Sequence, residues 1–139
     1  MEYKIKKCKY TKRLSQEVDK GFEESTLDKV GISCYEKPIA FKIQDKKTLV
    51  GCIVFQLYWG SLEIKQLFVS KQYRKHGIGT KLMNHALQYA SDHACTFITV
   101  RTFSFQAPEF YKKFGFEIEH IQKGFTRGVS LYILRRKLL

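Results

Sequence analysis

Leu67-Phe68-Val69-Ser70-Lys71-Gln72-Tyr73-Arg74-Lys75-His76-Gly77-Ile78-Gly79-Thr80 is the stretch on which the fold turns. An apolar, strand-like run ends at Val69, a basic loop follows, and two glycines open a segment with helical periodicity. The first amides of a helix lack intrahelical partners and carry the positive end of its dipole. A loop of this kind therefore binds anions, phosphates above all. Glycine at 77 and 79 allows torsions and a closeness of approach that a Cβ obstructs. Two other phosphate loops are excluded. A P-loop closes on Gly-Lys-Ser/Thr, whereas the order here is Gly79-Thr80-Lys81. A dinucleotide fingerprint needs a third glycine where Leu82 stands, and a strand running straight into the loop, but residues 71–76 intervene.

Working outward, Ser61 to Ser70 reads as a strand, with Leu62, Ile64 and Phe68 on one face and Glu63, Lys65, Leu67 and Val69 on the other. Ile78, Leu82, Met83, Ala86, Leu87 and Ala90 mark the buried stripe of a helix of about four turns. Upstream, Ile39–Ile43 and Thr48–Tyr58 form a hairpin around Gln44–Lys47. Tyr3–Cys8 alternates with period two and suits a first strand. Residues 13–33 are helical, as one helix or as two short ones divided near Gly21. Downstream, Phe97–Val100 is a short branched strand. A second helix follows from the Ser104–Pro108 region to Gly115, which suits its C-terminal stop. Phe116–Ile118 and Leu131–Leu134 close the chain as antiparallel strands. The expected fold is α/β (α+β): helices on both faces of a mixed, mostly antiparallel sheet of about seven strands, built as a single domain over residues 1–139.

A chain of 139 residues can bury about two thirds of its unfolded surface. The start lacks a signal-peptide core, and no apolar run approaches the ~20 residues of a membrane span. The expectation is a cytoplasmic protein without a membrane partner. Cys8, Cys34, Cys52 and Cys95 show no metal-ligand spacing and read as reduced, packed thiols. His85 and His93 could share a helix face, but Cys95 lies past its end, so no metal is expected. The net charge of +12 is concentrated in residues 1–13, 71–81 and 123–137, which carry +5, +4 and +5. The central cluster coincides with the anion loop and would steer a polyanion. The whole basic field would also suit nucleic acid.

Arg74-x-x-Gly77-x-Gly79, between a strand and a helix, resembles the pyrophosphate loop of the GCN5-related N-acetyltransferase (GNAT) family. A second block, Ser104-x-x-Ala107-x-x-x-Tyr111-x-x-x-Gly115-Phe116, resembles the family's Asn-x-x-Ala-x-x-x-Tyr-x-x-x-Gly-Phe, with Ser104 in place of the usual Asn. The likeness covers roughly residues 40–120. It implies acetyl-CoA as cosubstrate, held by Leu67, Phe68, Val69, Arg74, Lys75, His76, Gly77, Ile78, Gly79, Thr80 and Ser104. It also implies direct acetyl transfer to a primary amine in a ternary complex.

That chemistry sets requirements which residues can meet. An amine of pKa ~10.4 loses its proton at pH 7 at a cost of about 4–5 kcal/mol, so a base or water relay must take it. Glu63 matches the position where family members carry a glutamate base, and alternatively reads as a surface carboxylate paired with Lys65. A backbone amide near Leu67–Val69 would hold the developing oxyanion. The CoA thiolate needs a proton, and a tyrosine, with a pKa of ~10, can give one to a thiolate whose conjugate acid lies near ~8.5. Tyr111 stands at the family's general-acid position, and could otherwise be a core aromatic. Glu17, Asp19, Glu23, Glu24 and Asp28 form an acidic patch where the resemblance borders the acceptor, which suggests a cationic amine on a polyamine, an aminoglycoside or a protein. A nucleic-acid or ribosome-associated module and a non-catalytic CoA-binding domain are the alternatives. Exposed strand edges leave monomer and homodimer open.

Overall fold

In the computed structural model, which describes residues 2–34 and 36–138, the chain divides into two compact units, residues 1–35 and 36–139. In the first, α1 runs unbroken over Lys12–Val30. Thr11 caps it, its hydroxyl accepting from the Leu14 N–H at 3.1 Å. Gly31 ends it in the left-handed region at φ 84°, its N–H donating to Leu27. Gly21 does not divide the helix: its propensity cost, about 1 kcal/mol against alanine, leaves the hydrogen-bond ladder intact. Tyr3–Cys8 is not a strand. A period-two pattern supplies a face, but a strand also needs a neighbour for its backbone groups. The lysines at 4, 6, 7 and 9 make this segment a poor one to pair.

Among the described residues the second unit is built on six strands, one fewer than the chain was expected to have because the first is missing. They are β1 (Ile39–Asp45), β2 (Thr48–Tyr58), β3 (Ser61–Val69), β4 (Phe97–Phe103), β5 (Glu117–Gln122) and β6 (Leu131–Lys137). Their order across the sheet is β1-β2-β3-β4-β6-β5. All neighbours are antiparallel except β3 and β4. These two are parallel because α2 (Ile78–Asp92) crosses over between them. The amphipathic stripe read from the sequence is the one that packs: Leu82, Met83, Ala86 and Ala90 are buried against Ile53, Phe55, Leu62, Ile64, Ile98 and Val100. The second helix of this unit, α3 (Pro108–Lys112), is a short one. No described helix is long and apolar enough to cross a membrane.

Two irregularities open the sheet at its centre. β3 and β4 pair only at Leu62–Ile98, Glu63–Thr99 and Ile64–Val100; beyond Ile64 they part. At the same place β3 carries a bulge, since Val54 opposes Gln66 while Phe55 opposes Ile64, which leaves Lys65 as the extra residue. The bulge resets the alternation. Leu67 and Val69 oppose Ile53 and Gly51, and so share the α2 face with Leu62 and Ile64. Phe68 joins Glu63 on the opposite face. This corrects the simple alternation expected for 61–70, which placed Leu67 and Val69 with Glu63.

Candidate active site

The site is built from the bottom of the fork upward. Ser70 N–H donates to Val50 C=O at 2.8 Å, which sets the phase of the β2–β3 ladder. In an antiparallel pair, residues alternate between bonding their partner and pointing away. Ser70, Phe68 and Gln66 turn their amides toward β2. Leu67 and Val69 turn theirs into the gap, where β4 has left. One of these groups is already used: Arg74 Nε donates to Val69 C=O at 3.1 Å. The Arg74 side chain therefore braces the strand end as well as standing in the loop.

The loop is anchored on its other side. The Ser70 hydroxyl donates to Leu49 C=O at 2.5 Å, and Tyr73 OH donates to Asp45 at 3.1 Å. That bond to a carboxylate pushes the Tyr73 phenol above its ordinary pKa. Lys75 and Gly77 adopt positive φ, 66° and 77°, and Gly77 forms the N-cap of α2 without any side-chain cap. The first helical bond is Lys81 N–H to Gly77 C=O, 3.0 Å. The amides of Ile78, Gly79 and Thr80 thus stand unpaired at the helix start, ready for an anion. Gly79 is close to α3: a Cβ there would lie 3.2 Å from the Phe110 ring.

Two confluent cavities occupy the fork. The one of about 540 Å³ runs from Arg74 and Gly79 past Val69 to Phe105, Phe110 and Tyr111. The one of about 450 Å³ continues through Leu67, Phe68, Gln106 and Tyr111, which both share, to Lys65 and Arg101. Together they form a channel with Arg74 and Gly79 at one end and two basic side chains, Lys65 and Arg101, at the other. Tyr111 stands between. It is 6% exposed, its ring edge-on to Phe110 and Phe116 at 5.3 and 5.8 Å. Burial alone pushes its phenol up to about 12, so it keeps its proton throughout the neutral range. The Thr102 hydroxyl accepts from Ala107 N–H at 3.4 Å, which fixes the entry to α3 on the α2 face of the sheet.

The residues singled out from the sequence are therefore partly brought together. Leu67, Phe68, Val69, Arg74, Gly79 and Tyr111 line the channel. Gly77, Ile78 and Thr80 form the helix start, and Lys75 and His76 the exposed turn before it. Ser104 is elsewhere. It does not cap α3, whose N-cap is Ala107, and it is not among the residues that line the channel; its hydroxyl accepts from Ser130 N–H at 3.1 Å. Glu63 sits on the last paired rungs of the fork, on the face away from Tyr111, with Lys65 Nζ 3.4 Å from its carboxylate. Lys65, Arg101, Phe105, Gln106 and Phe110 were not singled out. Gln106 and Phe110 lie within the 104–116 block, but the roles of Lys65 and Arg101 depend on a fork that is a property of pairing.

Comparison with known proteins places this architecture. The family model described as the acetyltransferase (GNAT) family matches residues 5–116. The blasticidin-S acetyltransferase of Streptomyces morookaense is 27% identical over 95 residues, 68% of this chain and 70% of that one. A crystal structure of an acetyltransferase from Bacillus cereus superposes with a TM-score of 0.79 at 22% identity, covering 98% of both chains. A Bacillus anthracis protein solved in complex with acetyl coenzyme A superposes with a TM-score of 0.66 at 23% identity, covering 73% of this chain and 64% of that one. Among the curated relatives it matches, the chain spans from 31% to 70% of their length.

Proposed function

Since the chain belongs to the GNAT acetyltransferase family, we propose that it is an acetyl-CoA-dependent N-acetyltransferase acting by direct attack in a ternary complex. The observation that carries this reading is the channel. It joins unpaired helix-start amides to a buried, protonated tyrosine through a stretch of strand whose amides face open space.

In this reading the diphosphate of the coenzyme lies on the amides of residues 78–80 with Arg74 beside it. The pantetheine arm runs along β3 as a missing strand would, meeting Val69 and Leu67. The amine enters at the fork from the opposite face. Its lone pair attacks the thioester carbonyl carbon, and the oxygen takes up negative charge against the Leu67 N–H. As the carbon–sulfur bond breaks, Tyr111 gives its proton to the thiolate. The excess proton on the amine passes to Glu63 through water, since Glu63 does not line the channel.

Isothermal titration with acetyl-CoA, together with a thiol-release assay on a panel of amines, tests the proposal. The expected outcome is stoichiometric binding and amine-dependent release of CoA. Tight RNA binding in a gel shift with no heat from acetyl-CoA would favour the nucleic-acid alternative and overturn it.

A further inference from the structure

The acidic residues of α1 suggested a cationic acceptor, but the walls of the fork carry charge of the other sign. We infer that the fork selects an amine bearing its own anionic group, a carboxylate or phosphate ester, a few bonds from the nucleophilic nitrogen. This rests on the acetyltransferase reading and names the substrate class for it.

The channel is asymmetric. At the Arg74–Gly79 end its cation and amides suit the diphosphate. At the other end Lys65 and Arg101 both line the cavity, although nothing in coenzyme binding requires charge there. Their placement follows from the fold. Ile64 and Val100 are the last paired residues of β3 and β4, so Lys65 and Arg101 are the first residues beyond the parting strands. The bulge at Lys65 keeps its ammonium on the Glu63 side, 3.4 Å from that carboxylate.

Lys65 therefore has a counterion and Arg101 has none. Among the described residues Arg101 makes no ion pair. Its cross-strand neighbour on β6 is Ile133, and the flanking residues on its own face of β4 are Thr99 and Phe103. Both acids of β5 lie toward Arg135: Glu117 opposes it across the β5–β6 pair and Glu119 lies 2.6 Å from its Nε, while Arg135 stacks over Phe97 at 3.9 Å. An unpaired guanidinium at the mouth of a polar cavity presents a rigid fork of donors that matches a carboxylate or phosphate in two parallel hydrogen bonds. A polycation entering the same mouth would meet two like charges with only Glu63 to offset them. An amine with an anion nearby reverses that balance. The anion pairs with Arg101, and the nitrogen is left toward Glu63 and the thioester.

The test is a set of matched acceptors that share one amine and differ only in the second group, such as lysine against lysinamide and cadaverine, and phosphoethanolamine against ethanolamine. Each is assayed by thiol release from acetyl-CoA. The expected result is kcat/KM on the order of tenfold or more in favour of the anionic member. Arg101→Gln should bring that ratio toward unity and Arg101→Glu should invert it. Thermal unfolding of each variant shows that it is folded, and the ratio is unaffected by a partial loss of active protein. Carboxylate and phosphate pairs show which anion is preferred. Equal or better turnover of the neutral and polycationic members overturns the inference while leaving the acetyltransferase reading intact. So does binding of acetyl-CoA with no turnover of any anionic amine. Failure to bind acetyl-CoA at all removes the reading on which it rests.

Discussion

Gly51 lies in β2 beneath the first turn of α2, and it sets where that turn can sit. It opposes Val69, and a Cβ added to it would stand 2.9 Å from Ile78 Cγ2, 3.1 Å from Leu82 Cδ1 and 3.1 Å from the Phe68 carbonyl oxygen. Carbon atoms in comfortable contact are about 3.5–4.0 Å apart. The Phe68 carbonyl belongs to the ladder and cannot yield, so the first turn of α2 must retreat by roughly 0.6 Å or Ile78 must leave its rotamer. Overpacking of this kind costs about 1–3 kcal/mol, offset by about 0.4–1 kcal/mol from the stiffer unfolded chain. The net for Gly51→Ala is a destabilisation of about 1–2 kcal/mol. The same retreat carries the amides of residues 78–80 away from the β3 edge, and small misplacements at a reacting assembly weaken it steeply. We expect the KM for acetyl-CoA to rise about three- to tenfold, with kcat less affected. Denaturant unfolding and thiol-release kinetics report the two effects. Gly21→Ala in α1 is the control, since nothing lies within 4 Å of its added methyl; it should stabilise by up to ~1 kcal/mol. Unchanged stability and unchanged KM in Gly51→Ala would refute the idea that this glycine seats the helix.

Two further predictions concern protons. Tyr111→Phe should lower kcat on the order of a hundredfold while coenzyme affinity is kept, and full activity would remove Tyr111 as the acid. The same variant has a signature in stability: the phenol is held at about 12 against an ordinary value of ~10, so its stabilising effect is complete below pH ~10 and is lost as the pH rises toward 12, by about 2–3 kcal/mol. Unfolding titrations should show a shallower decline for Tyr111→Phe than for the unmodified chain across that window; parallel curves would contradict it. Glu63→Gln should lower kcat/KM about ten- to a hundredfold near pH 7, with the deficit shrinking toward pH ~10 as the amine loses its proton unaided. A deficit that does not change with pH would mean that Glu63 positions rather than accepts.

What was legible in the sequence was local. The glycines at 77 and 79 and the four-residue spacing from Ile78 to Ala90 specify a helix start and its buried stripe without reference to anything distant, and α2 forms where that spacing placed it. The hairpin around 44–47 follows from the same kind of signal. The misreadings share another cause: they depend on pairing. Residues 3–8 have the alternation of a strand but, among the described residues, no partner. The second face of β3 is misassigned because a bulge at Lys65 is decided by how β2 is matched to β3, and neither strand alone shows it. The contact that Ser104 makes, accepting from the Ser130 N–H 26 residues along the chain, is likewise decided by how distant segments meet. The fork that brings Lys65 beside Arg101 is the parting of two strands separated by a whole helix.

That parting has a kinetic consequence for the ternary complex proposed above. Tyr111 and the helix-start amides lie on one side of the sheet, and Glu63 and Arg101 on the other, so in that complex the two reactants would arrive through separate doors and meet in the slot between strands. Neither would block the other's exit, and each product could leave first. A compound that tethers the coenzyme covalently to its amine would have to thread this slot from one side to the other. Its association should be slow, and once seated its departure slower still.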